Sequence, residues 1–286
     1  MTNWASYFNK ILMHFLCNNI FISFVAVCMS WGTNVLFDLS LDLNYYIVLF
    51  FATLSSYCLH WYYTELTINQ TSINQFRSSL KNKNSLLFLF FISSIGFLYF
   101  IFLNQGWVIY LLPAVIATIV YSAPKFPIKK LKNLEGKALA KTFYLAAVWI
   151  YTTNIVPFLI SNKSIHFPII IFLTANFIFI YVICLLFDYR DQYKDQMKFI
   201  LINTNKHFDK IILCLTIIFI LLVFILLILH QSLSIIIGLV LSYIFLYATI
   251  SYSKKTKSDY WFYLVLDGLM ALPSLLGILL HTLFNK

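Results

Sequence analysis

The run Asp188-Tyr189-Arg190-Asp191-Gln192-Tyr193-Lys194-Asp195 holds three of the ten acidic residues in a 286-residue chain that is 61% hydrophobic. On a helix, at about 100° per residue, positions i, i+3 and i+7 fall within roughly a 60° arc, so Asp188, Asp191 and Asp195 share one face. Three carboxylates that close call for a cation. Hard oxygen ligands suit Mg²⁺, which is usually held by one or two carboxylates together with water and a substrate's phosphates. The interleaved Arg190 and Lys194 offer a plainer account, a helix end held by local ion pairs. Such surface pairs contribute only about 0.2 to 1 kcal/mol, so metal binding is the better reading of the stripe.

The elements that position these carboxylates belong to a membrane protein. With a mean hydropathy of +0.85, 19% aromatic residues and 10% charged residues, too little polar surface remains to face water around a soluble domain. The expected class is all-α and polytopic. Nine apolar segments approach the roughly 17 to 25 residues that cross a bilayer as a helix: Ile11 to Gly32, Tyr45 to Tyr63, Ser85 to Leu103, Trp107 to Tyr121, Thr142 to Ile160, Phe167 to Phe187, Ile211 to Leu229, Leu233 to Ile250 and Trp261 to Leu280. Only Asn104, Gln105 and Gly106 separate the third and fourth, which predicts a tight helical hairpin. The first run is long and lacks a small-residue cleavage site, so it is read as a retained span. Cys17, Cys28, Cys58, Cys184 and Cys214 show no paired spacing, which argues against a disulfide framework and a zinc site. No internal repeat or soluble domain is apparent, so residues 1–286 are expected to form one transmembrane domain.

Charge predicts the orientation. When loops are assigned alternately to two sides, 18 of the 20 Lys and Arg residues fall on one side and only Lys163 and Lys286 on the other. The positive-inside rule then puts the N-terminus in the cytoplasm and the C-terminus outside, in a plasma (inner) membrane. The net charge of +10 thus reports topology and attraction to anionic headgroups or substrates. It is no sign of nucleic-acid binding.

Topology also sorts the polar residues. Asn34, Asp38 and Asp42 resemble a metal motif, yet they lie in the short outer loop after the first segment. That is roughly 30 Å from the inner face, so Asp38 and Asp42 read as a solvated loop. Three inner loops carry the remaining polar groups: Glu65, Asn69, Asn74 and Arg77; Tyr121-Ser122-Ala123-Pro124-Lys125 with a lysine run; and the aspartates. Lysines beside carboxylate-bound Mg²⁺ suit a polyanionic head group, and the spans suit its hydrocarbon tail. Asp267 falls within the ninth segment, where a carboxylate is either functional or a packing acceptor from a neighbouring helix. Asn18, Asn19, Asn154 and Asn176 are explained by interhelical hydrogen bonds.

This arrangement resembles the UbiA superfamily of intramembrane prenyltransferases, over essentially the whole chain. The resemblance is carried by nine helices, by Asp188, Asp191 and Asp195 as a D-x-x-D-x-x-x-D motif after helix six, and by Tyr121-Ser122-Ala123-Pro124-Lys125 after helix four. The family's first motif, N-D-x-x-D-x-x-x-D at the inner end of helix two, is not met. The corresponding stretch from Ser56 to Glu65 contains no aspartate, and only His60, Glu65 and Asn69 are available as ligands. Neutral imidazole is a poor ligand for Mg²⁺.

The resemblance implies nine helices around a central lipid-accessible cavity and Mg²⁺-dependent transfer of an isoprenyl chain from a polyprenyl diphosphate to a hydrophobic acceptor, such as an aromatic ring. Asp188, Asp191 and Asp195 are the implied metal ligands, and with Lys125 the implied catalytic group. Tyr121, Lys129, Arg190, Lys194, Asp267, Glu65, His60 and Asn69 are implied to bind substrate. Tyr121, Tyr189, Trp61 and Trp149 have faces suited to an allylic cation, although an interfacial belt and ordinary packing explain them as well. Two alternatives stay open. One is a protein of the same fold that binds a prenyl lipid without turnover; the other is a small-solute carrier that uses Asp267 and the inner aspartates.

Overall fold

The protein is described by a computed structural model covering residues 2–64, 83–122, 138–195, 205–256 and 258–284, with backbone alone at 2–6, 8–10, 138–141, 192–195 and 205–206. The described residues are helical, with no strand. The helices are α1 (Thr2–Cys17), α2 (Ile20–Leu36), α3 (Leu43–Tyr62), α4 (Lys83–Leu103), α5 (Val108–Ser122), α6 (Ala138–Ile150), α7 (Val156–Ile160), α8 (Phe167–Asp195), α9 (Asn205–Ile228), α10 (Leu233–Lys255), α11 (Asp267–Leu269) and α12 (Leu272–Phe284). A 3₁₀ turn at Gln105–Trp107 leads into α5, and π-helical stretches occupy Tyr151–Ile155 and Trp261–Leu266.

Hydrocarbon offers no partner for a backbone N–H or C=O, so an apolar chain there satisfies itself by helix. Each of the nine apolar segments is accordingly helical over most of its length. Among the described residues, six helices are long and apolar enough to cross a membrane, and up to eight if each of two bent pairs is one span. The first pair bends by 69° at Asn18-Asn19 and the second by 44° after Leu269. Asn19 takes a left-handed φ of 61°, a conformation asparagine tolerates better than most residues. Helix α3 carries no formal charge, but Asn44, two serines, four tyrosines and His60 dilute it, and it falls outside those six to eight. The exposed Phe88, Phe91, Ile95, Leu98 and Phe102 of α4 are an apolar exterior of the kind a bilayer solvates. The chain is thus a multi-pass membrane protein.

Contacts divide the chain into two compact units, Met1–Val27 with Asp42–Leu134 and Ser258–Gly268, and Cys28–Leu41 with Glu135–Lys257 and Leu269–Lys286. In the first, α3 lies along α4. Ser55 and Ser94 bond at 2.8 Å between these helices, and Phe51 occupies the space a side chain at Gly96 would need. Leu16, Cys17, Leu54, Cys58 and Leu86 form a buried core. Asp42 caps α3 by accepting from the Asn44 N–H at 2.9 Å.

In the second unit α8 packs against α6, α9 and α10, and 72% of its apolar window is buried, which makes it the central helix. Thr216 and Tyr243 join α9 to α10 at 2.8 Å. α10 meets α12 where Gly238 faces the Gly277 backbone; a Cβ at Gly238 would lie 3.0 Å from the Gly277 nitrogen. The Asn154 amide donates to Thr33 Oγ1 at 2.7 Å, the interhelical bond expected of a buried asparagine. Lys163 Nζ donates to the carbonyls of Phe37 and Asp38, just beyond the end of α2.

Candidate functional site

Because α8 runs unbroken through 29 residues, Asp188, Asp191 and Asp195 occupy i, i+3 and i+7 of one continuous helix. Its apolar part, residues 167–187, is about 31 Å long at 1.5 Å per residue, close to the roughly 30 Å hydrocarbon thickness. The carboxylates begin where that length ends.

Each described carboxylate has a defined partner. The buried Thr142 hydroxyl, near the start of α6, donates to Asp188 Oδ2. Arg190 Nε donates to Asp191 Oδ1 at 2.9 Å; the Arg190 side chain is 3% exposed and that of Asp191 45%. Burial strips water from the guanidinium, so it relies on this charge-assisted bond and on the Phe187 ring 5.2 Å beneath it. Tyr189 is buried against Phe208, with ring centroids 4.6 Å apart. Asp191 therefore combines a fixed orientation with access to solvent.

Asp195 and Lys194 lie on the same helix, with side chains outside the described residues. Lys125, Lys129, Glu65 and Asn69 lie outside the described residues altogether. Among the described residues no group of three or more His, Cys, Asp and Glu side chains converges as a metal site. The donors at the end of α8 are nonetheless all hard oxygens, two carboxylates and a threonine hydroxyl, which is the chemistry Mg²⁺ prefers.

In the first unit, the C-terminal end of α3 is aromatic. The His60 ring stacks on Tyr121 with centroids 5.3 Å apart and planes at 23°, and its Nδ1 lies 3.4 Å from Ser122 Oγ. Trp61 meets Tyr263 edge-on at 6.0 Å. His60 and Tyr121 are brought together; they belong to one unit and the aspartate stripe to the other. Half-buried Asp267 follows directly after the second π-helical stretch.

Sequence reasoning missed two features. Thr142 is the partner of Asp188 across 46 residues, a distance no local pattern encodes. Asp259, only 5% exposed, looks from sequence like an ordinary loop acid between Ser258 and Tyr260. A cavity of about 320 Å³ opens beside Phe37, Lys163 and His166, near the first turn of α8. Asp188 lies about 28 Å further along that helix, so the cavity does not serve the stripe. No family model, curated protein or solved structure matches this chain.

Proposed function

We propose that this protein transfers an isoprenyl chain from a polyprenyl diphosphate to a hydrophobic acceptor within the membrane, with Mg²⁺ as cofactor. The observation that carries this reading is the pair Asp188 and Asp191, one turn apart at the polar end of the central apolar helix, one bonded to Thr142 and the other to a buried Arg190. The stripe of Asp188, Asp191 and Asp195 binds the diphosphate end. When bound, Mg²⁺ supplies positive charge to the diphosphate oxygens. Arg190, Lys194, Lys125 and Lys129 add charge that offsets what grows on the departing pyrophosphate as its bond to the allylic carbon breaks. The acceptor then bonds to that carbon and loses a proton. In this reading all nine apolar segments cross the membrane around a lipid-accessible cavity. The N-terminus and the stripe face the cytoplasm, and the C-terminus lies outside.

The test uses purified full-length protein in nanodiscs, supplied with a polyprenyl diphosphate and Mg²⁺. Pyrophosphate release is expected, and Asp191→Ala abolishes it. Release that survives this substitution refutes the site. A second reading, binding of a prenyl diphosphate without turnover, is favoured by α3 itself, which carries no carboxylate and whose His60 is packed against Tyr121 and Ser122. Saturable diphosphate binding with no pyrophosphate release supports it.

A further inference from the structure

The cavity of about 320 Å³ lies at the end of α8 opposite the aspartate stripe, and its walls divide by origin. Phe158 of α7, Ile169 of α8 and Phe37 just past α2 make the apolar part, with the Phe37 and Phe158 rings edge-on at 5.2 Å. Asn162, Lys163, Ser164 and His166 make the polar part, and all four come from the connection between α7 and α8.

The positive charge in this cavity is uncompensated. Lys163 Nζ donates to the Phe37 carbonyl at 3.1 Å and to the Asp38 carbonyl, which take two of its three N–H groups. Both acceptors are neutral. Asp38 meets the ammonium through its main chain rather than its carboxylate, and among the described residues no acidic side chain lines the cavity. Ser164 Oγ and His166 Nε2 bond to each other at 2.8 Å, and the Asn162 amide adds donors. The N–H groups of Ile169 and Ile170 both go to the His166 carbonyl, so side chains must hold an anion here, aided by the positive end of the α8 dipole.

Depth selects the ligand. Phe167 opens the apolar length of α8 that matches the hydrocarbon thickness, so Lys163 and His166 sit where hydrocarbon gives way to headgroups. Phe167 and Ile170 are exposed beside the cavity, as surface that acyl chains cover. We infer that this cavity binds the phosphodiester of an anionic phospholipid in the leaflet opposite the aspartate stripe, with Lys163 on the phosphate and the Phe37 and Phe158 rings under the glycerol and first acyl carbons. The remaining Lys163 N–H supplies a charge-assisted bond. A free phosphate has the charge but no use for the apolar wall, and a diacylglycerol has the reverse. A zwitterionic headgroup brings its own ammonium to the phosphate, so an anionic one gains more from Lys163. The site shares no residue with the diphosphate reading and does not rest on it.

The experiment photolabels the full chain in dodecyl maltoside micelles with phosphatidylglycerol bearing a diazirine near the start of one acyl chain, and maps the label by peptide mass spectrometry. Saturable labelling of the peptides that hold Phe37, Phe158 or Ile169 is expected, displaced by unlabelled phosphatidylglycerol but not by diacylglycerol or inorganic phosphate. Lys163→Gln weakens it about fivefold, the ratio that goes with one cation facing an anionic lipid, and Lys163→Arg retains it. Labelling that misses these peptides, or that diacylglycerol displaces equally well, overturns the inference. Displacement by inorganic phosphate at the same concentration assigns the cavity to a free anion and overturns the lipid. Unchanged labelling of a folded Lys163→Gln protein also overturns it. Lys163 closes the end of α2 as well, so the competition series on the unsubstituted protein decides the matter if that variant does not fold. Pyrophosphate release is not part of the readout, so the failure of either proposal leaves the other standing.

Discussion

Gly32→Ala tests how tightly α2 is seated against α12. A Cβ at position 32 would lie 2.2 Å from the Ser274 Cβ, 2.5 Å from its Oγ and 2.8 Å from its Cα. Carbon pairs rest at about 3.5 to 4.0 Å, so the shortfall is about 1.3 to 1.8 Å against the side chain and about 0.7 to 1.2 Å against the main chain. Rotating the Ser274 hydroxyl moves only Oγ. The two helices must separate, and overpacking of this kind costs about 1 to 3 kcal/mol. Separation also stretches the 3.1 Å bond from Ser274 Oγ to the Met29 carbonyl, losing about 0.5 to 1.5 kcal/mol. Against this, alanine gains about 0.8 to 1.0 kcal/mol over glycine in a helix. The net expectation is destabilisation of about 2 kcal/mol, read as a lower SDS mole fraction at the unfolding midpoint by circular dichroism. Adding Ser274→Gly should recover part of the loss in a double-mutant cycle but not all of it, because the Ser274 Cα remains. A Gly32→Ala protein as stable as the parent, or more stable by the propensity gain alone, refutes the packing argument.

Further expectations follow from the site and its surroundings. His60→Phe retains the stack on Tyr121 and loses only the weak Ser122 contact, so SDS unfolding should change by less than about 1 kcal/mol and Mg²⁺-dependent diphosphate binding should be unchanged; a loss of that binding makes His60 a ligand. Asn154→Leu removes the bond to Thr33, and interhelical bonds of this kind are worth about 0.6 to 1.7 kcal/mol in membranes; a larger loss in the unfolding titration points to a wider polar network.

Much of this architecture was legible because apolar runs of span length have one stable conformation in hydrocarbon. The helices over 83–103, 167–187 and 233–250 follow directly from composition, and the unbroken α8 places the aspartates at the spacing their order implies. Less legible was the break at Asn18-Asn19. Asparagine within an apolar run signals a hydrogen bond, but whether it bonds across helices, as Asn154 does, or ends a helix depends on partners such as Cys58 that are distant in sequence. The status of α3 was equally hidden: it lacks charge, yet its tyrosines and serines leave it short of span hydropathy while Ser55 bonds to Ser94 on α4. At the stripe, residue types and spacing were readable, and the supporting shell was not. The Thr142 bond and the burial of Arg190 are tertiary facts, since a lone Arg beside an Asp reads equally well as a solvated surface pair.

The two π-helical stretches bear on how this chain tolerates changes in length. A π turn takes in one more residue than an α turn while the helix continues, so each marks a phase hiatus of about 100°, the rotation of one α-helical residue. Losing one residue within Tyr151–Ile155 would restore an α-helix and leave the faces of α6 and α7 in their present relation. The same loss within α6 would rotate everything after it and turn Asn154 away from Thr33. Trp261–Leu266 has the same property one residue ahead of Asp267, so the direction of that carboxylate is set by a single inserted position. The hiatuses are thus the points where length drift can be absorbed in two helices that carry buried polar groups.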